Sequence, residues 1–524
     1  MTEPRAKPVA TRKAKTAVVM IHGMGEQIPM QTLRGFVNAV WTTDHSLIDP
    51  DRPDTNTGGP RTDNPTWSKP DIRNRSFELH RIATEEARNG RRTDFYEFYW
   101  AHLMHGTTWE HLQAWFVGLL FRRPGRVPRN VRAAWLLLWL ISLVIAGALL
   151  VAALPTDDIR QCLRGECTPS GCDVSALCWT WVSPVVTALL SLGAGWLVNA
   201  VLLKYIGDVA RYVSARPLNI GRRQEIRDKG VELLETLMGI RDAGSDVPRA
   251  EPADDETVAP ASGPAADYDR IVVVAHSLGT IVAYDILTHC FARVNRSFKV
   301  EPQGKQPERN ELETLLRNAV VNPQALSIKE FQERQSACLA EFMAAGSPWI
   351  VSDFVTIGSP LTHAEFLLAQ DESDLRVQQA ERILPTCPPV LEWDQTTERD
   401  HFSYWAGKRR AEDDDAEAVH TRIPHHAAHF AYTRWTNLYS PAKAIFWGDL
   451  VSGPVAEHFG LRVTNGRIVK GIRDIQVLPA GDAGRPRRTP FLTHTKYWSL
   501  QGDAGEEAPD HIRALRNALD LNRA

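Results

Sequence analysis

The segment Ile271-Val-Val-Val-Ala-His-Ser-Leu-Gly-Thr280 limits the fold more than any other stretch of the chain. Ile271–Ala275 is apolar without alternation and mostly β-branched, the pattern of a strand buried on both faces in a mainly parallel sheet. A helical pattern, Leu278–Phe291, starts almost at once. A strand that enters a helix through so short a turn needs small residues two positions on either side of the turn residue, and Ala275 and Gly279 occupy those positions around Ser277. The helix N-terminus adds a positive field at the serine. We therefore expect Ser277 to be a nucleophile, with His276 and Gly279 shaping its turn. The plainer alternative is a serine serving only as an N-cap.

A second strand-to-loop junction, Val18-Val-Met-Ile-His-Gly-Met-Gly25, supports the chemical reading. Acyl transfer builds negative charge on a carbonyl oxygen and needs preorganised N–H donors. A glycine-rich loop after a strand lets the backbone turn inward to offer one donor, while the residue after the nucleophile offers the other. The expected donors are the backbone N–H groups of Met24 and Leu278, with His22, Gly23 and Gly25 forming the supporting loop.

Short apolar strands are also expected at 17–21, 354–357 and 435–439, with further strands at 76–82 and 94–100 and an amphipathic helix near 31–41. The stretch 48–72 reads as an exposed loop, 297–325 and 405–425 as polar insertions, and 241–269, rich in Ala, Pro, Asp and Glu, as a solvated linker. Strands alternating with helices give an α/β architecture with helices on both faces. At 524 residues with 23% charged residues and a net charge of −3, the chain is neither disordered nor built to bind nucleic acid.

Ala133–Leu154 is a run of 22 residues without a charge, long enough to span a bilayer as a helix. Trp179–Leu203 is a softer second span in which Gly193 and Gly195 allow close helix approach, so a homo-oligomer through this hairpin is an allowed partner. Arg122, Arg123, Arg126, Arg129 and Arg132 precede the first span, and Lys204, Arg211, Arg216, Arg222 and Arg223 follow the second. The positive-inside rule then places the connecting loop outside and both arms in the cytoplasm. Cys162, Cys167, Cys172 and Cys178 cluster in that loop. They read as two disulfides with three possible pairings, against a four-thiolate zinc site, because the charge asymmetry puts the loop on the oxidising side. No signal peptide is expected before residue 17. The organisation is thus 1–121 as the first part of the catalytic domain, 122–204 as the membrane hairpin, 205–240 as a helical connector, 241–269 as the linker and 270–524 as the second part.

The nucleophile and His-Gly-x-Gly motifs resemble those of the α/β-hydrolase superfamily, especially its lipase-like members. Asp353-Phe-Val-Thr-Ile-Gly-Ser-Pro-Leu361 resembles the strand after the nucleophile helix, Thr433–Pro441 the strand before the acid, and His494-Thr-Lys-Tyr-Trp498 the terminal histidine loop. The His-Gly-Met-Gly-Glu-Gln opening and the Asn-Leu-Tyr-Ser-Pro segment are also similar to intracellular phospholipase A1 enzymes of the DDHD type, although the Asp-Asp-His-Asp motif itself is absent. The resemblance implies an α/β-hydrolase fold carrying an inserted two-helix transmembrane hairpin. It also implies the triad order Ser, acid, His, which makes His494 the base and Asp449 the acid. Lys443 occupies the nearest matching acid position, so Asp374 and Asp394 stand as alternatives to Asp449. The run His425-His-Ala-Ala-His429 lacks the Glu of a zincin helix and reads as packed or solvated. The expected function is a membrane-anchored serine hydrolase of lipid-like esters, without metal or organic cofactor, whose partners are the bilayer and an amphipathic ester. The rival is a non-catalytic membrane scaffold.

Overall fold

The computed structural model describes residues 14–24, 28–48, 51–54, 57–71, 73, 78–104, 120–127, 212–213, 217–240, 267–297, 306–405, 422–442, 448–463, 466–479, 493–500 and 508–523, with single helical positions between 132 and 147. Eight strands form the central sheet: β1 (Lys15–Ile21), β2 (Thr66–Pro70), β3 (His80–Glu86), β4 (Arg92–Phe98), β5 (Arg270–His276), β6 (Val351–Ile357), β7 (Arg434–Tyr439) and β8 (Arg473–Gln476). Their spatial order is β8-β7-β6-β5-β1-β4-β3-β2. The six strands from β8 to β4 run parallel, and β3 and β2 close one edge antiparallel.

The register explains why β5 has no polar face. Val272 and Val274 point to the same side as Val18 and Met20 of β1 and Val355 and Ile357 of β6. Helices α1 (Gln31–Val37) and α6 (Asp510–Leu519) cover this side through Leu33, Phe36, Ile512 and Leu515. On the other side, Tyr284 of α3 (Gly279–Ser297) lies 5.8 Å from Trp435 of β7, and Phe354 lies 5.1 Å from the same indole. Helix α2 (Pro217–Leu237) packs on α3 so closely that a Cβ at Gly230 would fall 2.2 Å from Ile286. Each fully buried Val of β5 contributes roughly 1.5–3 kcal/mol of burial free energy, which is why this strand sits at the centre.

Several sequence expectations shift. The stretch 48–72 is not all loop, since β2 forms the outer edge; having one neighbour strand, it carries no alternating apolar signal. The strand expected at 76–82 lies at 80–86, with an irregularity in its pairing with β4 between Ala83 and Glu86. The polar insertion 297–325 contains helix α4 (Pro307–Val321), started by Pro307 in its first turn and held by Leu312, Leu316 and Ala319 on one face. It packs on α5 (Ile328–Ala344), which Ser327 caps. The linker does not extend to residue 269: Tyr268 is buried, its hydroxyl donating to Asp94 and lying 2.6 Å from the Tyr96 hydroxyl.

The chain divides into two compact units, one of Met1–Gly23, Gln27–Leu103 and Gln224–Ala524, the other of Met24–Glu26 and Met104–Arg223. The sheet belongs to the first. In the second, Trp139 donates from Nε1 to the Leu120 carbonyl and stacks edge-on against Phe121 and Trp135. Leu136, Leu140 and Leu143 are more than half exposed there. Among the described residues no helix is long and apolar enough to cross a membrane. The second expected span, 179–203, and Cys162, Cys167, Cys172 and Cys178 lie outside the described residues, as does most of the first span.

Candidate active site

β5 ends at His276 and α3 begins at Gly279, so Ser277 and Leu278 make the whole turn. Ser277 takes φ 54°, a left-handed conformation that costs a non-glycine residue about 1–3 kcal/mol. The surroundings hold it there. Its N–H donates to the Ile357 carbonyl of β6 at 3.0 Å, and its carbonyl accepts from Thr280 N–H at 2.9 Å and Thr280 Oγ1 at 2.7 Å. Two glycines, Gly279 and Gly23, are required by contact. A Cβ at Gly279 would lie 2.3 Å from the His22 carbonyl oxygen, and one at Gly23 would lie 2.9 Å from the Ser277 Cβ. The loop after β1 and the turn after β5 therefore touch backbone to backbone, as the two motifs require.

His22 stiffens that loop. Its Nδ1–H donates to the Gly23 carbonyl at 2.8 Å, its Nε2 accepts from Trp100 N–H at 3.2 Å, and its carbonyl accepts from Trp100 Nε1 at 3.0 Å. The imidazole stacks on the Trp100 ring, and burial lowers its pKa to about 4, so it stays neutral and keeps one tautomer. Met24 follows and is half-buried, whereas Gly25 lies outside the described residues. Leu278 is fully buried at the entrance to α3, where the first N–H groups of a helix have no partner within it.

His494 and Asp449 meet Ser277 from far along the chain. His494 Nε2 lies 2.8 Å from Ser277 Oγ, and His494 Nδ1 lies 2.9 Å from Asp449 Oδ2. The Asp449 side chain is fully buried and that of His494 is 24% exposed. Asp449 Oδ2 also accepts from the Tyr497 hydroxyl at 2.8 Å, and Oδ1 accepts from Val451 N–H at 2.9 Å. Burial alone would raise the Asp449 pKa, but the attraction of His494 and hydrogen bonds from His494, Tyr497 and Ser452 outweigh it and hold the carboxylate at about 2. The Asp449 carboxylate is thus ionised and the His494 Nδ1–H points toward it, which turns Nε2 toward Ser277 Oγ, an arrangement able to take a proton from the hydroxyl. Gly358, at φ +59°, completes the floor. A Cβ there would lie 2.9 Å from Tyr497 and 3.3 Å from both Asp449 Oδ2 and His494 Nδ1.

The structure thus brings Ser277, His494 and Asp449 together, with Leu278, His22, Gly23, His276 and Gly279 around them. Asp374 is occupied by Gln370 N–H and the Gln378 amide, and Asp394 by Arg422 and the backbone of Thr396 and Thr397. His401 pairs with Glu313 at 2.6 Å, His425 with the Val390 carbonyl, and His429 packs on Phe291 and Phe430. Lys443 lies outside the described residues. Two residues at the site were not singled out from the sequence. Tyr497 stands in the quoted histidine loop and Gly358 in the quoted strand end, but only their approach to Asp449 gives them a role. Comparison with protein-family models, with curated proteins and with solved structures returns no match.

Proposed function

We propose that the chain is a membrane-anchored serine hydrolase with an α/β-hydrolase fold, acting on carboxylic esters of lipid-like, amphipathic character. The observation that carries this reading is the continuous link Ser277–His494–Asp449, built on a strained turn between a central strand and its helix. Ser277 Oγ attacks the ester carbonyl while His494 Nε2 takes its proton. Asp449 holds the imidazole tautomer and stabilises the imidazolium. The backbone N–H of Leu278 receives the oxyanion, with the Met24 N–H as the second donor expected from the sequence. His494 returns the proton to the leaving alcohol, and water then releases the acyl group along the same path. No step calls on a metal or organic cofactor. The preference for amphipathic esters rests on the two apolar runs and their arginine flanks, which would hold the catalytic unit at the inner leaflet.

A fluorophosphonate probe tests the reading, because it reacts with an activated serine and not with an inert hydroxyl. The full chain should label, and Ser277→Ala should neither label nor hydrolyse a short-chain nitrophenyl ester. Equal labelling of both proteins would sink the proposal.

A further inference from the structure

We propose that His276 is a positioning residue that sets the His494 imidazole against Ser277, an assignment that rests on the hydrolase reading above. The residue next to the nucleophile reaches the residue that carries the base. His276 Nε2 lies 2.8 Å from the His494 carbonyl oxygen. A carbonyl can only accept, so Nε2 carries the proton and donates.

The mechanical consequence follows from where each group sits. His494 belongs to a single turn, Thr493–Thr495, whose other backbone tie across the site among the described residues is a long one, 3.3 Å from Thr493 N–H to the Gly448 carbonyl. A base on so short an element is poorly fixed by its own backbone. His276, by contrast, is the last residue of β5 and pairs in register with Ile357 of β6. Its ring lies 4.9 Å from that of His494 and meets Trp498 edge-on at 4.9 Å, so it has little freedom to swing. The bond to the His494 carbonyl therefore refers the base to the sheet through the nucleophile's own neighbour. A displacement of about 1 Å between reacting groups can cost about 100-fold in rate, so this reference matters to turnover. Burial lowers the His276 pKa to about 3, so the ring stays neutral and adds no positive charge beside His494.

Two amide substitutions separate positioning from packing. In His276→Gln the side-chain nitrogen can reach the place of Nε2; in His276→Asn it falls one methylene short. We expect His276→Gln to keep kcat within a few-fold of the wild type. His276→Asn should lose about 10–100-fold in kcat, by the same distance argument, with little change in KM and with slower fluorophosphonate labelling. Wild type and Ser277→Ala are run beside them. If the wild type neither labels nor hydrolyses, the hydrolase reading fails and this inference goes with it. If the wild type is active and the two amides behave alike, with both unchanged or both impaired in step with their melting temperatures, His276 does not position the base and only this inference is overturned.

Discussion

Asp449 illustrates how one carboxylate is selected among several. It is buried, it receives His494, Tyr497 and Val451, and its pKa is held at about 2. Asp449→Asn should leave the fold intact and lower turnover by about 10⁴-fold, since an amide permits the wrong imidazole tautomer and cannot stabilise the imidazolium. Asp374→Asn and Asp394→Asn should leave kcat nearly unchanged, because the Asp374 carboxylate accepts from Gln370 N–H and the Gln378 amide and the Asp394 carboxylate pairs with Arg422, neither of them bonding to His494. Steady-state kinetics on one ester compares all three. A silent Asp449→Asn beside a crippling change at either other position would move the acid elsewhere. The order of residues in the chain could suggest Asp449 but could not exclude its rivals. That choice depends on distance, and Asp449 and His494 are 45 residues apart in sequence.

At the scale of elements, the loop after β1 and the N-terminus of α3 make a close backbone contact at the site. Gly279→Ala places a methyl group 2.3 Å from one backbone carbonyl oxygen and 2.6 Å from another. Backbone cannot rotate away as a side chain can, so the overpacking should cost at least about 1–3 kcal/mol and push β1 and β5 apart at their C-terminal ends. Thermal unfolding should show a lower midpoint than for Gly221→Ala, where nothing stands within 4 Å of the new Cβ. Equal midpoints would mean that the junction yields freely. The strand-turn-helix and the glycine loop were each legible from residue type, because sharp turns and close approaches admit few side chains. Helix α4 and edge strand β2 were not. Charges mask the apolar stripe of α4, and an edge strand exposed on most of its residues has no periodic signal.

For the whole molecule, acid is the stress to apply. Burial lowers the pKa values of His22, His425 and His458 to about 4 and those of His276 and His429 to about 3. In the unfolded chain they would protonate near the ordinary histidine value of about 6.5, so below it the unfolded state binds more protons. Their stability contribution is therefore complete above about 6.5 and is lost as pH falls toward their folded values. Asp449 acts in the same sense, its share being lost between its ordinary value, 3.8, and about 2. Glu97 opposes them: burial raises it from 4.5 to about 7, and its contribution is lost as pH rises through that value. Five histidines outweigh one glutamate, so the urea midpoint in detergent should fall steadily from pH 7 to pH 5. His429→Leu, which removes a buried ring whose nitrogens have no hydrogen-bond partner among the described residues, should flatten that fall. A midpoint unchanged over this range would contradict the assignment. Topology is a second whole-molecule expectation. Membrane-impermeant thiol reagents should reach Cys162, Cys167, Cys172 and Cys178 from outside intact cells only after reduction, and labelling of the catalytic unit from outside would reverse the orientation. The sequence alone determined which residues could be a nucleophile, a glycine loop and a buried parallel strand, because steric limits at turns and the alternation of strand faces act over a few residues. Only the tertiary structure decided which acid meets His494, that Tyr497 and Gly358 belong with it, and that His276 bonds to the base, because those contacts join segments the chain keeps far apart.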